Sequence, residues 1–297
     1  MNMPKKDAGS SARIRGVVAA IATPIHDFAP DHARFLTLAR KLLDGGCDGL
    51  NVLGTTGEAT SFTAAQRMDL MTAAAKNLPL GRLMVGTGAA AIGDAVAISR
   101  HASELGFAGV LVLPPFYYKG VVDAGVMAYI GAVVEATKEK ATPIYLYNFP
   151  GLSGVPYTPA LVSALIERFG PRIAGLKDSS GDLPYAREIA AMNIDVFPSN
   201  EGTLMDARNG GPFAGCISAT ANLNSADCAK AYHNGDAAAL DRAVAVRKLF
   251  EGLALIAGIK TLLAQVHGDP ALEKVMPPLV ALADPAPLKS RYAALAH

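Results

Sequence analysis

Cysteine is scarce in these 297 residues: Cys47, Cys216 and Cys228 are an odd number with no C-x-x-C spacing. That suggests neither a disulfide framework nor a thiolate zinc site, and a reducing cytoplasm is the expected compartment. His26, His32, His101, His233, His267 and His297 show no H-x-x-x-H spacing, so no metal is expected. Charge is also sparse, at 18% of residues with a formal net charge of +1. No basic cluster is interleaved with aromatics, which argues against nucleic acid or an anionic membrane as partner. No run reaches the roughly 18 apolar residues of a membrane span. Residues 1–15 carry basic side chains without an apolar stretch behind them, and are expected to be a flexible tail, not a signal peptide.

What is present is apolar, 51% of the chain, enough for a large core. From residue 16 one unit repeats: a short Val/Ile/Leu run, a Gly/Pro/Ser/Thr turn, and an amphipathic helix. The strand-like runs are Val17–Ile21, Gly49–Leu53, Leu83–Val85, Gly109–Leu113, Pro143–Tyr147, a run ending at Lys177, Ile194–Phe197 and Gly215–Ser218. Thr63-x-x-Gln66 predicts a capping box, and Thr158-Pro159 a capped helix start. Eight such units without a linker predict an α/β chain, a (β/α)8 TIM barrel over 16–223. Residues 224–297 predict a helical appendage, with helices at Ser225–His233, Ala237–Val266 and Ala271–Leu282. Gly86-x-Gly88-x-x-Ala91 matches a dinucleotide fingerprint, but Leu105–Pro115 holds no acid to meet a ribose.

Lys177 ends its apolar run in Gly175-Leu-Lys-Asp178, which places it at the C-terminal rim of a barrel, where catalytic groups sit. A rim lysine that pairs with Asp178 is the plain alternative. Tyr147 closes the preceding strand and reaches the same rim, whereas Tyr145 lies one layer deeper. Gly54-Thr-Thr-Gly-Glu58 ends the second strand, and its amides, including Gly57, and its two hydroxyls suit a carboxylate. An amine that attacks a ketone, a phenol that moves protons and a carboxylate cradle together describe a Schiff-base site for pyruvate-like substrates.

The combination Gly-Thr-Thr-Gly-Glu, Tyr147-Asn-Phe-Pro150 and Gly-Leu-Lys-Asp, with Ala22-Thr-Pro24 and Leu111-Val-Leu-Pro-Pro115, resembles the pyruvate-dependent class I aldolases grouped with dihydrodipicolinate synthase and N-acetylneuraminate lyase. The resemblance implies that Lys177 forms the imine, needing no cofactor, and that Tyr147 shuttles the proton. It also implies that Thr55 and Thr56 bind the pyruvate carboxylate, with the second hydroxyl, Thr56, linking Tyr147 into a relay. Tyr117 resembles the aromatic that reaches into a neighbouring subunit, which implies a homodimer or homotetramer. Ser179 and Ile217 fall at substrate-contacting positions. Where synthases carry an arginine this chain has Leu152, followed by Ser153. Gly202-Thr203, preceded by Glu201, stands where sialate lyases carry an Asp-Glu pair. The implied activity is therefore cleavage of a smaller 4-hydroxy-2-oxo acid, such as a 2-keto-3-deoxy sugar acid, to pyruvate and an aldehyde. Synthase-type condensation or dehydration through the same imine are alternatives, and a non-enzymatic 2-oxo acid sensor is a distant one.

Overall fold

A computed structural model describes residues 13–295 of the chain. Eight parallel strands run β1 Gly16–Ala20, β2 Gly49–Val52, β3 Leu83–Gly86, β4 Gly109–Val112, β5 Ile144–Asn148, β6 Ile173–Asp178, β7 Asp195–Pro198 and β8 Gly215–Ser218. They are ordered β8-β1-β2-β3-β4-β5-β6-β7. The Ala214 N–H donates to the Val196 carbonyl at 2.9 Å beside the two outermost strands, so the barrel is nearly closed. Each strand is buried along its length because helices cover its outer face and the other strands its inner one.

Alternation along the strands gives two apolar layers. One lies between strands and helices; the other fills the barrel with Val18, Ala20, Met84, Leu111, Tyr145, Phe197 and Ile217. Tyr145 and Phe197 meet edge to face at 6.1 Å between ring centroids. Gly175 makes room for that plug: a Cβ there would stand 2.7 Å from the Tyr145 ring and collide with the Asp195 carbonyl. Lys177 lies two residues further on, in register with Tyr147 on β5 and Phe197 on β7. The lysine therefore stands directly above the filled barrel.

The local signals act as their chemistry requires. Thr63 and Gln66 form a reciprocal capping box on the helix Ala64–Asn77, and Thr158 caps Pro159–Phe169 with proline in its first turn. Residues 1–12 of the expected tail lie outside the described residues. Ile14 is buried, and Arg13 and Arg15 both reach Asp195, at 3.4 and 2.7 Å. All three cysteines are buried, and burial pushes the Cys47 thiol up to about 12 and the Cys216 and Cys228 thiols well above the ordinary range. No helix among the described residues is long and apolar enough to cross a membrane.

The C-terminal region is helical but divided differently from the expectation. The first helix, Ala221–Ala229, continues as a wider turn over Lys230–Asn234. The expected long helix is two, Ala237–Lys248 and Leu255–His267, because Gly252 turns left-handed at φ +74° between them. Ala271–Leu282 holds only a single tight turn, Pro270–Glu273, since Pro277 and Pro278 remove two helix donors. The helix comes later, at Ala286–Leu295, where Pro287 sits in the first turn and needs no donor.

Candidate active site

Lys177 is 3% exposed, and its Nζ lies 4.2 Å from the centroid of the Tyr147 ring. Asp178 does not neutralise it. The Asp178 carboxylate accepts hydrogen bonds from Asn148 Nδ2 at 2.8 Å, Ser180 N at 3.2 Å and Ser180 Oγ at 2.9 Å. Burial raises the Asp178 pKa and these donors oppose the rise. Among the described residues Lys177 forms no ion pair, so the surface-lysine alternative has no partner to offer.

The Gly54-Thr-Thr-Gly loop stands opposite. Leu53 and Glu58, which bracket it, both hold positive φ, at 54° and 53°. Non-glycine residues seldom adopt that conformation, and a loop held in it is fixed by its surroundings. The outcome is a hydrogen bond of 3.1 Å between Thr55 Oγ1 and the Tyr147 hydroxyl. The resemblance pointed to Thr56 for that link; in the structure the first threonine makes it, and both threonines line the cavity.

Two cavities meet here. One of about 310 Å³ lies over Lys177, walled by Thr55, Thr56, Tyr147, Ser179, Thr220 and Arg247. The other, about 240 Å³, shares Thr55, Tyr147 and Phe149 and is more apolar, with Leu53, Phe116 and Leu152 on its wall. Arg67 also lines it. Its guanidinium donates to the Gly86 carbonyl at 2.9 Å and the Gly88 carbonyl at 3.1 Å, and burial pushes its pKa down to about 10. That glycine turn is thus held from within by an arginine.

The model of the Dihydrodipicolinate synthetase family matches residues 13–291. The chain belongs to this family. An uncharacterized DapA-like lyase of Chloroflexus aurantiacus is 34% identical over 256 residues, 80% of this chain and 82% of the relative. A 4-hydroxy-tetrahydrodipicolinate synthase of Mycolicibacterium paratuberculosis is 30% identical over 89% of this chain and 90% of its own. Among solved structures, dihydrodipicolinate synthase from Agrobacterium tumefaciens superposes with a TM-score of 0.87 at 27% identity, covering 95% of this chain and 99% of that one. A prophage protein of the dihydrodipicolinic acid synthase family from E. coli K12, in complex with pyruvate, superposes with a TM-score of 0.84 at 25% identity, covering 96% and 99%. As a dihydrodipicolinate synthetase family member the chain is an enzyme, a class I aldolase or lyase.

The structure brings together Lys177, Tyr147, Thr55, Thr56 and Ser179 around one cavity. Leu152 and Ser153 line the neighbouring cavity instead. Ile217 is wholly buried inside the barrel, and Tyr117 is 73% exposed on the loop after β4. A Cβ on Gly57 would stand 3.1 Å from both the Ile21 carbonyl and the Thr23 hydroxyl, a tight fit. Glu201 neither faces the cavity nor caps its helix. It is completely buried, its carboxylate accepts from the Ser218 and Thr220 hydroxyls and from Arg247 Nη1 at 3.3 Å, and Asn200 does the capping. Sequence reasoning missed Ser199, Thr220 and above all Arg247, which comes from the helix Ala237–Lys248. The Ser218-x-Thr220 pair at the end of β8 was a local hint of that wall.

Proposed function

We propose that this chain is a Schiff-base lyase that reversibly cleaves a 4-hydroxy-2-oxo acid, such as a 2-keto-3-deoxy sugar acid, to pyruvate and an aldehyde. One observation carries the reading: a buried amine without a carboxylate partner stands 4.2 Å from the ring of a tyrosine whose hydroxyl is bonded to the Gly54-Thr-Thr-Gly loop. The Lys177 amine adds to the C2 ketone, and loss of water gives an iminium. Tyr147, through its bond to Thr55, takes the C4 hydroxyl proton. The C3–C4 electrons flow into the iminium, the aldehyde leaves, and an enamine remains. Protonation at C3 and hydrolysis release pyruvate and free the amine. Thr56 and the amides of Gly54–Gly57 are the proposed carboxylate cradle.

Borohydride reduction in the presence of pyruvate is expected to trap a covalent adduct on the peptide that contains Lys177. A mass shift on another lysine, or none, removes the proposal. Condensation of pyruvate with an aldehyde is the second reading, favoured by relatives named 4-hydroxy-tetrahydrodipicolinate synthase. Against it stands Leu152, an apolar side chain where the resemblance puts the synthases' arginine, and one that lines the neighbouring cavity. Measuring pyruvate release against pyruvate consumption on a panel of 2-oxo acids and aldehydes separates the two.

The proposal extends to assembly. Tyr117, Tyr118 and Val122 are each at least 70% exposed on one loop, more apolar surface than a solitary subunit gains from showing. Tyr117 of a second copy, entering the apolar cavity beside Thr55 and Tyr147, would bury it. Sedimentation is expected to show a dimer or tetramer that Tyr117→Ala weakens; a monomeric parent protein rules this out.

A further inference from the structure

We infer that Arg247 is the specificity-determining residue for the half of the substrate remote from the imine, and that this end carries a second carboxylate. The inference rests on the lyase reading and adds the chemical class of the substrate, a hydroxylated 2-oxo diacid.

Apart from Lys177, Arg247 is the cation on the wall of the cavity over the imine site. It sits in the last turn of Ala237–Lys248 with its side chain 40% exposed, so it reaches the space without being sealed from it. Its hydrogen bond to protein among the described residues uses Nη1 alone, to Glu201 Oε2 at 3.3 Å. The remaining donors of the planar fork are left for a ligand, and two parallel N–H donors match a carboxylate.

Neutralising Glu201 is the ordinary explanation for such an arginine, and it accounts for half of the arrangement. Glu201 is fully buried, and its other oxygen already takes two hydroxyl bonds, from Ser218 and Thr220. Those bonds fix the carboxylate and the carboxylate fixes Nη1 of the guanidinium, while Arg247 lines the cavity and its other donors have no protein acceptor among the described residues. A flexible arginine held in this way loses less freedom when it binds. Thr220 also lines the cavity, as does Ser199, whose hydroxyl is 2.7 Å from that of Ser179. Exposed Glu251 on the same wall adds an acceptor. Hydroxyls and an acceptor on the wall that carries the amine and the arginine suit a hydroxylated chain, and the arginine suits its acid end.

The test uses two 4-hydroxy-2-oxo acids of equal chain length, one ending in a carboxylate and the other in a primary alcohol. The native enzyme is expected to have the larger kcat/KM for the diacid. Arg247→Met is expected to lower the diacid-to-alcohol ratio of kcat/KM by roughly 10–100-fold, the worth of one charge-assisted contact, mainly through KM. Arg247→Lys restores part of it. Since Arg247→Met strands the buried Glu201, the double variant Glu201→Gln with Arg247→Met is made alongside; it removes the pair without leaving a charge and is expected to show the same loss in ratio. An unchanged ratio in the folded double variant, or a native preference for the alcohol, overturns the inference. Borohydride trapping with pyruvate alone, measured on every variant, reports separately on the imine. If it succeeds while the ratio stays flat, the inference falls and the lyase reading stands; if it fails in the native enzyme, both fall.

Discussion

Replacing Lys177 by alanine is expected to abolish the pyruvate adduct and to lower kcat/KM by roughly 10⁴-fold or more, the scale on which loss of a covalent nucleophile acts. The fold is expected to survive. Lys177 forms no ion pair among the described residues, and Asp178 next to it is held by Asn148 and Ser180, so removing the amine strands no charge. Tyr147→Phe provides the contrast. It keeps the ring 4.2 Å from the amine but deletes the hydroxyl that meets Thr55 at 3.1 Å. Turnover is then expected to fall while the pyruvate adduct still forms. Steady-state rates and intact-protein mass spectra on the two variants check both outcomes. A Lys177→Ala enzyme with more than about a hundredth of native activity would place the nucleophile elsewhere.

The half of this site that lies on strand ends was legible in the amino-acid sequence because it is local. A strand followed by a turn fixes which side chain stands at the rim, and Tyr147, Lys177 and the Thr55-Thr56 pair are each fixed within their own βα unit. Even there, which of two adjacent threonines meets the tyrosine depended on the left-handed turn at Leu53, which no residue pattern announces. Arg247 was not legible, because its place in the wall depends on how one C-terminal helix lies across the barrel mouth. The apolar pattern misled in the same region. Leu249 and Phe250 are buried whether or not they are helical, so hydrophobic spacing runs unbroken through the interruption that Gly252 makes. Pro159 signals a helix start because a capping threonine precedes it; Pro287 lacks that partner in the sequence, so the helix it opens was not anticipated.

Lys260 was hidden for the same reason, and its removal is expected to cost the most stability of any single change considered. The residue reads as the polar face of an amphipathic helix, yet its side chain and that of Glu58 are essentially inaccessible, and the two form an ion pair. Lys260 also donates to the Lys274 carbonyl at 2.7 Å, and Glu58 accepts from the Met276 N–H at 2.7 Å. Burial pushes the Lys260 pKa below the ordinary lysine range, and Glu58 opposes that shift. Replacing one member of such a pair leaves a charge with neither water nor partner. Lys260→Met is therefore expected to destabilise the enzyme by about 3–5 kcal/mol, read from denaturant melts. The double variant Glu58→Gln with Lys260→Met leaves no charge behind and is expected to recover most of that loss, because two charges must be dehydrated to make the pair in the first place. Function should not recover with it. Glu58 directly follows Gly57, and the pair ties the loop proposed to hold the substrate carboxylate to the segment around Lys274 and Met276. The stable double variant is expected to show a raised KM for the 2-oxo acid with a smaller change in kcat, as a loosened carboxylate cradle requires. A Lys260→Met enzyme within about 1 kcal/mol of the native protein would mean that water reaches Glu58 and that the tie carries little.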